Sequence, residues 1–501
     1  MGCAVLAVSA VHRRRGGGTA VAPLTCLVLL TCVALLGGCS RVIGGTPVPA
    51  GGHPTGTVAG RPATDGPTGP VPSAPDATTP VIGSDGGSAD RLANNAVADL
   101  NDYWKTAFPE AFPGHRFAPV TTLTSYDSRG PDTVLCGRHT AGHAGAFSCP
   151  DGGGLVWDRG RFLPELNRTA GPIGTATALA HEMGHAVQRQ AGGDVSPLVR
   201  QQRADCFTGA FFRHAADDRA KHFRVGTGDG LNRAMSALPK VRGAADPASE
   251  GNAQPPQGPK PARGAGSAHR TAMDRVAAFR GGFERGPASC ADIDAADTGQ
   301  RSTQAQFRER ARGTDLPISA GTVDAVGASL REVFRDTGAA PPAIVPEPRP
   351  CGALPFRGPA SYCPDTGTVS MDLRQLRHIA RSPDGRGDFA AIAQIAARYA
   401  LSLQQAAGFP LDGESAGMRT ACVVGSWSGL LVDDPAGRRN PAGELRITPE
   451  DLDEGVASLL DRDGLIAADL HGRQPPAGFA RVEAFRAGFE RGLTPCTTQY
   501  A

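Results

Sequence analysis

Two histidines and a glutamate fall within five residues at His181-Glu182-Met183-Gly184-His185. On a helix, side chains four apart share a face, so both imidazoles can reach one Zn²⁺. Glu182 sits beside them, placed to take a proton from metal-bound water and pass it to a leaving amine. A plainer reading of the same residues is a helix with two hydrogen-bonded histidines and a caged glutamate. Burying three ionisable groups so close together is costly without a metal or other partners, which favours the metal.

These residues need a rigid platform. Pro172 precedes the segment and Gly192-Gly193 follows it, which predicts a helix over Thr175 to Gln190. Ala178, Leu179, Ala180, Ala186 and Val187 make that helix largely buried. A second helix is predicted from Pro197 to Ala216 and a closing one from Ala272 to Phe283. Leu92 to Phe108 has helical spacing of apolar residues, and strand-like pieces lie around Val120–Tyr126 and Leu155–Asp158. The fold class that follows is α+β, mainly helical, with a small sheet.

The chain also repeats itself. Arg275 to Cys290 reads RVAAFRGGFERGPASC and Arg481 to Cys496 reads RVEAFRAGFERGLTPC, with 11 of 16 positions identical. From Leu179 to Cys206, a constant offset of 216 gives Ile395 to Cys422, matching Gln188 with Gln404, Gly192 with Gly408 and Arg203 with Arg419. Two tandem copies are expected, over 91–296 and 318–501, joined by a linker at 297–317. Eight cysteines lie in these copies, an even number that reads as four disulfides. Each copy has a near pair and a far pair, so the expected bridges are Cys136–Cys149, Cys206–Cys290, Cys351–Cys363 and Cys422–Cys496. At the 216 offset His181 becomes Ala397, Glu182 becomes Arg398 and His185 becomes Leu401. Gln201 becomes Gly417 and Asp205 becomes Ala421. The second copy is thus expected to be a pseudo-domain without metal, leaving one zinc per chain.

The segments ALAHEMGHAVQRQAG and RQQRADCFTGAFF, with CGR…SCPDGGGLVWD before them and AFRGGFERG after, resemble the bacterial neutral zinc metallopeptidase family. The resemblance covers about 200 residues of the first copy and implies a zincin-like metallopeptidase fold and peptide-bond hydrolysis. It assigns His181 and His185 as zinc ligands, Glu182 as the catalytic residue, and Asp205 as the carboxylate of the A-D-C step, able to fix a histidine tautomer. Gln188 matches the glutamine of the motif helix, without an evident role. One position departs from the pattern. The third ligand, a glutamate four residues before Asp205, is Gln201 here, and an amide oxygen is the weaker, neutral donor. Three outcomes stay open: Gln201 ligates, Asp205 substitutes for it, or the site holds no metal. Asp194, His214, Asp217 and Asp218 are more distant substitutes.

Arg13, Arg14 and Arg15 precede an apolar run from Ala20 to Leu36, and Leu36-Gly37-Gly38-Cys39 resembles a bacterial lipobox. Residues 1–39 are read as an export signal with Cys39 as the lipidation site, which puts the protein on the outer face of the cell membrane. An ordinary signal peptide, and a secreted protein, is the alternative. In residues 41–90, 36 of 50 are Gly, Pro, Thr, Ser or Ala, so 40–90 is read as a disordered spacer. Gly243 to Gly266 reads as a surface insertion. A net charge of +2 over 501 residues, with no basic patch, excludes a nucleic-acid partner, and the membrane is reached through lipid only. The expected partner is a peptide or protein substrate. The rival expectation is a catalytically weak or inactive surface lipoprotein that binds a protein or cell-envelope component.

Overall fold

Prolines and capping hydroxyls set the helix boundaries of this chain. Its computed structural model describes residues 57–241 except 153, 271–296, 316–432 except 353–355, 357 and 383–385, and 445–500. The N-terminal half runs β1 (Thr57–Val58), β2 (Arg61–Pro62), β3 (Gly69–Pro70), β4 (Val81–Ile82), α1 (Ser88–Ala111), β5 (Leu123–Tyr126), β6 (Val134–Leu135), β7 (Arg138–His139), β8 (Ala146–Ser148) and β9 (Leu155–Asp158). It continues with α2 (Phe162–Ala170), α3 (Ile173–Ala191), α4 (Pro197–Ala216), β10 (Phe223–Arg224), α5 (Asp229–Ala237), α6 (Ala272–Arg285) and α7 (Pro287–Ala291). The C-terminal half runs α8 (Ala320–Val333), β11 (Ala343–Val345), β12 (Ala360–Cys363), β13 (Thr368–Met371), α9 (Leu373–Ala380), α10 (Asp388–Ala406), α11 (Glu414–Leu430), α12 (Pro449–Leu460), α13 (Gly478–Arg491) and α14 (Thr494–Thr498). The class is α+β and mainly helical, as the sequence predicts.

Helix α3 ends where Gly192 takes φ 76°. Ser196 then caps α4 by accepting from Val199 N–H, with Pro197 in the first turn, where its missing donor costs nothing. Thr271 caps α6 in the same way. Helices α4 and α6 touch backbone to backbone. A Cβ on Gly209 would lie 1.8 Å from the Phe279 carbonyl oxygen, and one on Gly282 would lie 1.8 Å from that of Cys206. The same crossing recurs between α11 and α13, through Gly425 against Phe485 (1.9 Å) and Gly488 against Cys422 (1.8 Å). Disulfides Cys206–Cys290 and Cys422–Cys496 tie each crossing, and Cys136–Cys149 and Cys351–Cys363 close the two hairpin regions. All four bridges pair as expected.

The N-terminal sheet has the order β4-β5-β9-β8, with β8 antiparallel on one edge and the other pairs parallel. The C-terminal sheet, β11-β13-β12, likewise has one parallel and one antiparallel pair.

One expectation needs correction. The spacer assigned to 40–90 is fixed from residue 57 onward. Strand β3 pairs with β10 and β4 with β5, while Asn95 accepts from Ala77 N–H and Asn94 donates to the carbonyls of Ala77 and Thr79. Side chains of α1 thus satisfy a backbone that has little apolar surface to bury. The two halves also pack against each other. One hydrophobic core runs through both, with Phe479 set 5.8 Å from the rings of Phe279 and of Phe283. The signal, Cys39, the insertion at 243–266 and nearly all of the 297–317 linker lie outside the described residues. No helix among the described residues is long and apolar enough to cross a membrane.

Candidate metal centre

Helix α3 carries His181, Glu182 and His185 into the interior, at 0%, 2% and 8% exposure. Helix α4 brings Gln201 and Asp205 against them. The His181 Nε2 atom lies 3.2 Å from His185 Nε2 and 3.1 Å from Gln201 Oε1. Four ligands held at 2.0–2.1 Å around a tetrahedral ion stand about 3.3 Å apart, so these spacings suit Zn²⁺.

The tautomer of His181 follows from its other nitrogen. Nδ1 meets Asp205 Oδ1 at 2.8 Å, and a carboxylate there can only accept, so Nδ1 carries the proton. Neutral His181 then points a lone pair at an amide oxygen 3.1 Å away, two acceptors that need a cation or a proton between them. Turning the Gln201 amide over would supply a donor and close the contact without a metal.

Asp205 itself is held from behind. Arg275 on α6 donates through Nε to Oδ2 (2.9 Å) and through Nη2 to Oδ1 (2.8 Å). A further Arg275 N–H reaches the Val241 carbonyl at 2.7 Å. Burial alone would raise the Asp205 carboxyl, but Arg275 and His181 outweigh it and hold the group well below the usual carboxylate range. An acid fixed in this way supports His181 and does not swing toward the convergence point.

Glu182 reaches the edge of the sheet, where its Oε2 accepts from Ser148 N–H at 3.1 Å. Its Oε1 is buried with no partner among the described residues. Burial pushes this carboxyl up to about 7, against the pull of His181. Burial likewise holds His185 well below the ordinary imidazole value, with His181 adding to the effect. The Nδ1 of His185 has no partner among the described residues, so the outer contact that orients a ligating imidazole exists for His181 and not for His185.

The more distant substitutes stay away. Asp194 is exposed and faces Arg200, Asp217 pairs with Arg61 and Arg213, and His214 packs on Tyr103. Asp218 sits exposed beyond the end of α4. Gln188 gains a role, since its amide bridges the carbonyls of Gly184 and Arg200 and so joins α3 to α4. Sequence reasoning missed Arg275 and Ser148. Arg275 opens the repeated RVxAF block, a signal of shared structure, but only the tertiary crossing brings it to Asp205.

The residues 216 positions further on, in the C-terminal half, leave no such centre among the described residues. Ala397, Leu401 and Ala421 are fully buried. Arg398, at the Glu182 position, is 1% exposed and donates to the carbonyls of Asp469 (2.9 Å), Leu465 (3.2 Å) and Ala468 (3.0 Å). A Cβ on Gly417, where the first half has Gln201, would lie 2.5 Å from the Ala467 carbonyl oxygen, so this loop occupies the ligand position.

Comparison of the chain with protein-family models, with curated proteins and with solved structures finds no match.

Proposed function

We propose that the protein is an exported zinc-dependent peptidase whose chemistry is confined to the N-terminal half. In this reading that half has a zincin-like fold, and the C-terminal half is a tandem copy that has lost its site. The carrying observation is the convergence of His181 Nε2, His185 Nε2 and Gln201 Oε1 beside a glutamate with an unpartnered oxygen. The repeated glycine crossings and the matched disulfides support the duplication.

His181, His185 and Gln201 would hold the ion, and Asp205 with Arg275 would keep His181 in the ligating tautomer. Bound zinc supplies a Lewis acid for a peptide carbonyl and makes water acidic near neutral pH. Glu182 would hold the water proton on Oε1 and release it to the amine, while Ser148 N–H fixes the orientation of its carboxylate through Oε2. Strand β8 is a sheet edge beside Glu182, so a substrate chain pairing along it would cross the site. Four disulfides fit an oxidising, extracytoplasmic compartment. Lipidation at Cys39 would place the enzyme on the outer face of the membrane.

A second reading, a surface lipoprotein that binds a protein or envelope component, is favoured by the neutral Gln201 and the unpartnered His185 Nδ1. Metal analysis of the purified protein, with casein cleavage by the native chain and by Glu182→Gln, separates the two. The peptidase reading expects about one zinc per chain and a loss of roughly 10²–10⁴-fold in cleavage on substitution. A metal-free protein, or cleavage indifferent to the substitution, overturns it in favour of binding.

A further inference from the structure

The C-terminal half contains a cavity of about 240 Å³ that does not involve the metal centre, walled by Gly338, Leu403, Phe409, Arg419, Val423 and Leu493. Its origin is visible in the other half. Trp427 on α11 donates its indole N–H to Ser329 on α8 at 3.0 Å, whereas Phe211, at the matching position of α4, meets the ring of Tyr103 on α1 at 5.8 Å. That contact sets a register in which Trp104 corresponds to Leu330, Phe108 to Phe334 and Phe112 to Gly338. The first two pairs are buried in both halves, as the register requires.

In the N-terminal half the corresponding space is filled by aromatic rings. Phe112 lies 5.0 Å from Phe108 and 6.1 Å from Phe207, and Phe117 lies 5.7 Å from Phe108. Gln190 holds the loop behind them by bonding both the N–H and the carbonyl of Ala118. The C-terminal half has Gly338 for Phe112, Val423 for Phe207 and Ala406 for Gln190. Its connection from α8 to β11 is also shorter than that from α1 to β5. Two rings, one from the connection after α1 and one from α4, are gone and that connection is shorter, while the surrounding helices keep their crossing.

We propose that this cavity binds a neutral molecule with a single aromatic ring, seated where Phe112 and Phe207 meet in the other half. Size supports the class. The cavity exceeds the roughly 150 Å³ that accepts benzene in an engineered core and falls short of the roughly 300 Å³ at which drug-sized pockets begin. Charge supports neutrality. The Arg419 guanidinium lies 4.7 Å over the ring of Phe409, and its N–H groups already serve Gln404 Oε1 (2.9 Å) and the carbonyls of Tyr500 (2.7 Å) and Pro410 (2.8 Å). Three of its five N–H donors are thus already engaged inside the fold, and the aliphatic and aromatic walls of Leu403, Phe409, Val423 and Leu493 offer apolar contact that a neutral ring uses and an anion does not. Access is open, because Gly338, Ala407 and Thr497 at the rim are exposed.

The test is titration of the full purified chain with 4-fluorotoluene, followed by ¹⁹F NMR and by thermal shift. The expected result is saturable one-to-one binding with a dissociation constant below about 1 mM, within reach of a ligand of eight heavy atoms. Val423→Phe, which restores the ring of the other half, should weaken binding at least about tenfold by filling the space. Thr497→Trp, at an exposed rim position, should do the same without touching the core. Chelation of metal should leave binding unchanged, which keeps this site separate from the zinc reading. Absence of saturation, native affinity retained in both variants, or loss of binding on chelation overturns the proposal.

Discussion

The two halves of the molecule hold the same three-helix crossing around opposite centres. In one, α3 and α4 bury two imidazoles, a carboxyl and an Asp–Arg pair. In the other, α10 and α11 bury alanine, leucine and an arginine satisfied by loop carbonyls. The crossing is set by glycine contacts and a disulfide and does not depend on what sits between the helices. The polar centre is held by its own chemistry. Each buried group needs a partner, and removing both members of a pair is far cheaper than removing one.

The largest effect should come from breaking that rule. Asp205→Ala leaves Arg275 buried beside a histidine with no acceptor, at an expected cost of about 3–5 kcal/mol. The double substitution with Arg275→Met should recover most of it, because it leaves no buried cation without its acid. Urea unfolding measures both, and a loss below about 1 kcal/mol for the single change would mean that the pair is not the support it appears in the crossing.

Glu182 gives the next test. Its carboxyl is raised in the fold, so the folded chain holds the proton more tightly than the unfolded one. Stability of the metal-free protein therefore falls as pH rises from about 4.5 to about 7 and is level above. Glu182→Gln removes that loss, gaining up to about 3 kcal/mol above pH 7 and nothing below pH 4.5. His185 works in the opposite direction. Its lowered value makes the fold lose stability as pH falls below about 6.5, in native chain and variant alike. Thermal melts of chelator-treated protein across pH 4–9 read both trends. The C-terminal half has Arg398 here, lowered by burial only to about 10, so it adds no slope in this range. A native chain whose stability rises steadily to pH 9 contradicts the burial of Glu182.

Gln201→Glu sharpens the contrast from the metal side. Adding the missing negative charge at the convergence point should tighten zinc by roughly 10–100-fold, read by competition with a chelator. Unchanged affinity would place the third donor elsewhere.

Much of this arrangement was legible before any coordinates. Pro172, Gly192 and Pro197 bracket the helices of the site, and the recurrence of near and far cysteine pairs is enough to order the bridges. What stayed hidden depends on contacts between distant segments. Residues 57–90 looked like a spacer because composition counts apolar burial and cannot count carbonyls taken by Asn94. Arg275 lies 70 positions from Asp205 and meets it only through the glycine crossing. The offset that turns Glu182 into Arg398 shows the loss of an acid, but says nothing of the 465–469 loop that receives the cation.

The smallest predicted effect isolates a single missing partner. Arg481 corresponds to Arg275, yet its Nε and Nη2 have no partner among the described residues, the same two atoms that grip Asp205 in the other half. Burial lowers its guanidinium to about 10, and one N–H reaches the Pro475 carbonyl at 3.2 Å. Position 421, where the acid would stand, is a buried alanine. Ala421→Asp should supply the acceptor and gain about 1 kcal/mol at pH 7, the charge-assisted bonds being partly offset by crowding of the helix contact. An introduced carboxylate paired with Arg481 has a depressed pKa, so its benefit is present above about pH 4 and lost on acidification. In an Arg481→Met background the same substitution buries an unpaired acid and should destabilise, which makes the double-mutant cycle the decisive measurement. If Ala421→Asp costs the same with and without Arg481, the two halves do not place these side chains alike.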